Sequence, residues 1–567
     1  MNNGGFSVFP GGRNLLPEIP RQSLYFIIQK LIFRMKVVSM KKRNYQWFSV
    51  GDINGFFGLM IDNLTVLSFL AGILIFVFQY PAEIVYKRMF PGTALGVLFG
   101  DLVYTFMAIR LGKKKKDPSV TAMPLGLDTP STIGIALTVI GPAFIYLKSK
   151  GMAPYDAAMM TWYIGMATMI IIGCIKLVFS FFGNWLNRII PQAGLLGSLA
   201  GIGLALIGFV PILDIFGLPV VGLISLGIIL YSLVAKISLP RNFPAVLAAV
   251  GLGSLIYYIC APMGWFGIHY TAPPAANLTV GIPVPTLDFV KGFSEALRYL
   301  PIAFPFAILT VVGGINTTES ARIAGDDYNT RDILLTEALS TLIAGLFGGV
   351  AQTTPYIGQP AYKAMGSRAG YTLMTGLFIG LGGILGYVSF IVELIPRPVL
   401  APILIFVAID IMAQAFHACP PQHAPAVALS YMPSVARLLA IKLNPNVGSL
   451  LAQFTEPLKT IPETLVVVAL GNGFILTAML WGAFIAKLID KKIMHAVAFL
   501  LSLATLSFFG IIHSALPEGS MYLPWQLPWQ LQIVPYQFTA GYVALAALFL
   551  VLSFITPKDG SGQLRTA

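Results

Sequence analysis

Residues 351–370 read AQTTPYIGQPAYKAMGSRAG. Gln352, Thr353, Thr354, Gln359 and the helix breakers Pro355, Gly358 and Pro360 stand here between long apolar stretches. At membrane depth, polar and broken backbone is tolerated only where protein buries it or where it lines a water-filled cavity. A second segment of the same character, Met123-Pro-Leu-Gly-Leu-Asp-Thr-Pro-Ser-Thr-Ile-Gly134, lies in the first half of the chain. Interrupted segments in corresponding halves mark a transporter binding site built from discontinuous helices.

The composition around them agrees. The 567 residues are 56% hydrophobic and only 10% charged, with mean hydropathy +0.80. Soluble domains carry about a quarter charged residues, so the chain reads as a polytopic, all-α membrane protein. Its net charge of +13 does not indicate a nucleic-acid partner. The basic residues cluster where apolar segments end, as at Lys36, Lys41, Lys42, Arg43 and Lys113 to Lys116, which is the pattern of orientation signals. Residues 23–38, with Lys30, Arg34 and Lys36, read as an amphipathic surface helix. Cys174, Cys260 and Cys419 are scattered, and none of the five histidines falls in a broken segment, so no disulfide framework, metal or cofactor is expected.

A span needs ~20 mostly apolar residues. Candidates lie near 53–78, 92–111, 120–147, 154–182, 190–213, 216–236 and 242–264, then 298–320, 333–350, 351–369, 371–395, 398–417, 423–442 and 463–488. Two more, 493–515 and 537–556, form a terminal hairpin around Trp525 and Trp529. With the N-terminus inside, Lys113 to Lys116, Arg241, Arg322, Arg331, Arg368, Lys491 and Lys492 all fall on the inner side. Lys558 and Arg565 return there, and the membrane expected is an inner (plasma) membrane. Phe57-Gly-Leu-Met-Ile-Asp-Asn-Leu-Thr65 and Val312-Gly-Gly-Ile-Asn-Thr-Thr-Glu319 open the two halves alike, which suggests inverted repeats.

Ionisable groups at depth mark a pathway by default. Asp62 and Asn63 lie mid-span, Asp128 precedes the Thr129-Pro130 break, and Asn316 to Glu319 close a span that holds Gly313 and Gly314. The bland alternatives are a helix contact for Asp62 and a pair with Arg322 for Glu319. Asp101 is expected to be structural, Asp326, Asp327 and Asp332 to be solvated in a loop, and Lys363 to snorkel. Amides such as Gln359 and Asn316 could match the edge of a flat heterocycle, with Tyr356, Tyr104 or Phe57 stacked on its face. A carboxylate at Glu319, Asp128 or Asp62 could then accept a coupling proton.

At these residues the chain resembles the nucleobase–cation symporter 2 superfamily, the xanthine/uracil permeases, and is most similar to the adenine/guanine/hypoxanthine branch. The stretch Thr353 to Gly370 follows the branch's T-T-S-Y-I-E-S pattern without a gap, and Gly126-Leu127-Asp128 resembles its G-L-N. Ala338 to Gly348 and Pro425 to Ala436 are similar to its ninth and thirteenth helices. The resemblance implies a seven-plus-seven inverted repeat, with short broken segments in spans three and ten and two extra C-terminal helices here. It implies residues 1–50 as a cytoplasmic segment, core repeats at 51–182 and 298–397, and gate repeats at 183–265 and 398–490. Residues 266–297 would be an extracytoplasmic loop and 491–567 the hairpin and tail.

It further implies elevator-like uptake of a purine, usually with a proton or other cation and often as a dimer in membrane lipid. Substrate binding would fall to Asp128, Thr129, Asn316, Glu319, Thr354, Tyr356, Gly358 and Gln359. Two departures matter: the branch's tenth-segment Glu is Gly358 here, with Gln359 adjacent, and its eighth-span acidic residue has no clean match, since Gly313 to Asn316 occupy that region and Glu319 falls one turn later. The alternative on the same architecture is a carrier of the sulfate/bicarbonate type for inorganic or small organic anions. No zinc-protease or intramembrane aspartyl motif is present, so an enzyme is not expected.

Overall fold

The computed structural model describes residues 45–189, 191–237, 239–240, 243–265, 278–356, 358–443, 460–516 and 519–555. The amphipathic helix expected at 23–38, the basic residues Lys36, Lys41, Lys42, Arg43, Arg241, Lys558 and Arg565, and residues 266–277 of the expected loop lie outside these ranges. Among the described residues nine helices are long and apolar enough to cross a membrane, or up to 11 if two sharply bent pairs each count as one span.

The first run comprises α1 (Gly51–Ile75), α2 (Ala82–Lys115), β1 (Leu125–Leu127), α3 (Thr129–Ser149), α4 (Pro154–Phe182) and α5 (Gln192–Gly217), then the shorter α6 (Pro219–Val234) and α7 (Ala245–Cys260). A surface helix, α8 (Phe289–Arg298), leads into the second run. That run comprises α9 (Leu300–Ile323), α10 (Thr330–Leu346), β2 (Thr353–Pro355), α11 (Gln359–Ala364), α12 (Gly370–Leu385) and α13 (Tyr387–Leu394). It continues through α14 (Arg397–His417), α15 (Pro421–Leu443), α16 (Glu463–Gly471) and α17 (Phe474–Ile489). The added hairpin is α18 (Ile493–Phe508) and α19 (Ile533–Ile555). Helix α19 packs along α18 and leaves much of its surface exposed.

Each strand stands third in its run, and the two pair antiparallel, Leu125 with Pro355, Gly126 with Thr354 and Leu127 with Thr353. The amide of Asp128 to the Gln352 carbonyl and that of Tyr356 to the Pro124 carbonyl, both 2.9 Å, extend the ladder. Proline explains why these segments are strands. Pro124 lacks a donor and keeps Met123 out of helical geometry, whereas Pro130 sits in the first turn of α3, where no donor is needed. The span expected at 120–147 therefore becomes helical only at Thr129. The span expected at 371–395 bends by 92° at Gly386 (φ +84°), and that at 463–488 by 85° at Asn472-Gly473 (φ +68°).

Packing divides the helices into two bundles. In one, α1, α2, α4, α9, α10 and α12 surround the strands. Gly376, Gly380 and Gly383 give α12 a flat stripe on which α2 rests, and a Cβ there would lie 2.3–2.8 Å from side-chain atoms of Asp101, Leu98 and Ala94. Small residues at such spacing let helix backbones approach where lipid offers no hydrophobic drive. In the other bundle, α5 packs on α14, α15 and α17, and α6 packs on α7 and α14. The bundles meet where α1 touches α14, α3 touches α5 and α9 touches α17.

Candidate functional site

The β1–β2 ladder ends in the start of α3 and the turn before α11, so two interrupted spans converge on one cradle. Asp128 is the N-cap of α3, and its Oδ2 accepts the Ser131 amide at 2.9 Å. Such a cap satisfies one of the free donors of the first helical turn. Thr129 is buried directly after it. Across the ladder Thr354 is buried, and the Tyr356 hydroxyl donates to the Leu127 carbonyl at 3.0 Å. Asp62 on α1 reaches the same hydroxyl, and Asn63 beside it accepts the Leu127 amide at 3.0 Å. Asp62, Asp128, Tyr356 and Gly358 are partly accessible, which gives the cradle an open side. Half-buried Asn316 lies one position before Thr317, whose hydroxyl reaches the Pro355 carbonyl at 3.4 Å.

Behind the cradle lies a buried ionic network. Lys176 on α4 places its ammonium 2.7 Å from Glu337 Oε1 on α10, and both side chains are 1% exposed. The same ammonium donates to the Thr353 carbonyl at 2.8 Å and to Gln352 Oε1 and Thr341 Oγ1 at 3.2 Å. Gln352 passes the contact forward, its amide reaching Asp128 Oδ2 at 3.4 Å. Sequence reasoning overlooked Lys176 and Glu337. The rule that flags ionisable residues inside spans applied to both and would have found them.

Two expected site residues are elsewhere. Gln359 is fully buried but turned away from the cradle, its amide donating to Asp326 Oδ2 at 2.7 Å and to the Thr121 carbonyl at 3.2 Å. Asp326 is not solvated: it is fully buried and also holds Lys363 at 2.5 Å, so that lysine is paired and does not snorkel. Glu319 is exposed at the end of α9 and pairs with Arg322, the bland alternative for that residue. The reason is helical phase: Thr317 and Thr318 face inward and Glu319 outward. Tyr104 is fully buried and donates to the Ile333 carbonyl at 3.1 Å, so its ring is not free to stack on a ligand. His423 pairs with Asp490 at 2.8 Å.

No protein-family model matches the chain, nor does any curated protein. Solved structures do. The overall structure of SLC26A9 aligns with a TM-score of 0.50 and 14% identity, over 81% of this chain and 76% of that one. The transmembrane domain of a cyanobacterium bicarbonate transporter, BicA, aligns at 0.48 and 17%, over 70% and 97%. Murine Slc26a9, an anion transporter in the inward-facing state, aligns at 0.40 and 13%, over 81% and 80%. The expected membership of the nucleobase–cation symporter 2 superfamily is corrected, because the structure that aligns at a TM-score of 0.50 is SLC26A9 and not a nucleobase permease. The chain has the multi-pass transporter fold of two seven-helix inverted repeats arranged as core and gate.

Proposed function

We propose that the protein is a secondary transporter that carries a small anion across a cell membrane, in company with a proton or another cation. The make-up of the cradle carries this reading. A flat base needs side-chain amides to read its edge, and Gln359, the amide best placed by sequence, is held by Asp326. What remains are the Thr129 hydroxyl and the half-buried Asn316 amide, with the Lys176 ammonium directly behind β2. Hydroxyl and amide donors near a buried ammonium suit a compact anion. SLC26A9, whose fold the chain shares, is by description of its murine form an anion transporter.

Asp62 and Asp128 face the same cradle, and two carboxylates there repel an anion unless positive charge enters with it. That is the argument for coupling, with Thr129, Asn316, Thr354, Tyr356 and Gly358 lining the cargo. Residues 51–182 and 298–397 then form the core that carries the cradle, and 183–265 and 398–490 the gate it moves against. The N-terminus faces the cytoplasm of an inner membrane.

Uptake of labelled bicarbonate and sulfate into proteoliposomes, with and without an inward proton gradient, tests this. Saturable, gradient-stimulated uptake of either anion is expected. Asp128→Asn keeps the helix cap but removes a titrating charge, so uptake should persist with the several-fold gradient stimulation gone. Uptake of hypoxanthine but of neither anion would overturn the proposal.

A further inference from the structure

Glu337 engages two groups that border the cradle. Its Oε1 lies 2.7 Å from the Lys176 ammonium, and the Thr354 side chain of β2 reaches the same carboxylate. Thr341, one turn further along α10, donates its hydroxyl to the Glu337 carbonyl at 3.0 Å and accepts from the ammonium at 3.2 Å. Room for the carboxylate comes from α9, where the Gly313-Gly314 stretch passes beside it. A Cβ at Gly314 would lie 2.8 Å from Glu337 Oε2 and 2.6 Å from Leu334 Cδ2, so glycine is what lets the acid lie against that helix.

The pair is close enough to act on a cargo in the cradle. The ammonium donates to Gln352 Oε1, and the Gln352 amide reaches Asp128 Oδ2 at 3.4 Å, so Lys176 stands two hydrogen bonds from a cradle carboxylate. At an effective dielectric of about 20, one unit charge several ångströms away changes the affinity for an anion by roughly tenfold or more. A doubly charged anion feels the same field twice as strongly as a singly charged one. With Glu337 ionised at 2.7 Å, the ammonium and carboxylate form a dipole, and its field in the cradle is only a fraction of that of a lone cation. The carboxylates of Asp62 and Asp128 then weigh twice as heavily against a dianion.

We infer that Glu337 sets the charge class of the cargo: by neutralising Lys176 it holds the cradle to small singly charged anions and against doubly charged ones. The inference rests on the reading of the protein as an anion carrier and names which anions it takes. Glu337 is a positioning residue here, since it acts on the cargo through Lys176.

Competition against labelled bicarbonate uptake in proteoliposomes, at one fixed pH and gradient, tests this with perchlorate and sulfate, two tetrahedral anions that differ by one charge. In the wild type perchlorate should compete at least about tenfold better than sulfate. Glu337→Gln keeps the volume and an oxygen for the ammonium but removes the negative charge, so sulfate should gain on perchlorate by roughly tenfold. Glu337→Asp keeps the charge and should retain the wild-type order. A Glu337 that only supports the fold would lower uptake without moving the ratio. An unchanged ratio in a Glu337→Gln protein that still takes up bicarbonate therefore overturns the inference, as does a wild type in which sulfate competes as well as perchlorate. If Glu337→Gln does not reach the membrane, the wild-type ranking decides alone. Uptake of labelled sulfate but not of bicarbonate refutes the charge class and leaves the anion carrier standing, whereas uptake of neither overturns both.

Discussion

Lys176 shows how much one side chain in this fold can control. Its ammonium meets Glu337, the Thr353 carbonyl and Gln352 at once, so it sets both the charge behind the cradle and the position of β2. Removing one partner of a buried ion pair strands the other, at a loss of about 3–5 kcal/mol. Lys176→Met should therefore melt well below wild type in a detergent unfolding assay. Lys176→Met/Glu337→Leu should recover most of that loss, yet transport poorly, since the ammonium that holds the Thr353 carbonyl and Gln352 in place is gone. At this scale the sequence was only partly legible. Asp62 and Asp128 were readable as polar residues at depth. The outward phase of Glu319 and the pairing of Gln359 with Asp326 were not, because both depend on how α9 and the loop after it turn.

The two broken segments are where local sequence had most to say. Pro124, Pro130, Pro355 and Pro360 forbid continuous helix, and their matching places in the two runs were visible without a structure. Register was not. Gly126 faces Thr354 because a side chain at Gly126 would collide with Tyr356: a Cβ there would lie 2.3 Å from its hydroxyl and 2.4 Å from its ring. Gly126→Ala should displace Tyr356 from the Leu127 carbonyl and cut uptake by about tenfold or more, the penalty expected when binding groups are misplaced by an ångström. Protein level in the membrane should change little. Adding Tyr356→Ala should relieve the clash without restoring uptake, and restored uptake would show that the tyrosine only fills space.

Across the whole molecule the two bundles meet along one seam. Arg397 at the start of α14 donates to the Gly72 carbonyl of α1 at 2.8 Å, and Tyr258 of α7 donates to the Leu394 carbonyl at 2.5 Å. If core moves against gate, these contacts must break in each cycle. With Cys174, Cys260 and Cys419 replaced by serine, a Gly72→Cys/Arg397→Cys pair joined by a short bis-maleimide should lose transport, while either single variant treated alike should not. Uptake that survives efficient cross-linking would exclude relative movement at this seam.

By itself the sequence determined the medium and the plan: apolar runs long enough to span lipid, and two proline-broken segments in matching positions. Those follow from solvation and from the missing proline donor, which act locally. Only the tertiary structure decided which polar residues meet. Lys176 and Glu337 are joined, Gln359 is drawn to Asp326, and Glu319 is turned outward to Arg322. Charge pairing depends on distances of a few ångströms between segments far apart in the chain, and helix packing alone sets those distances.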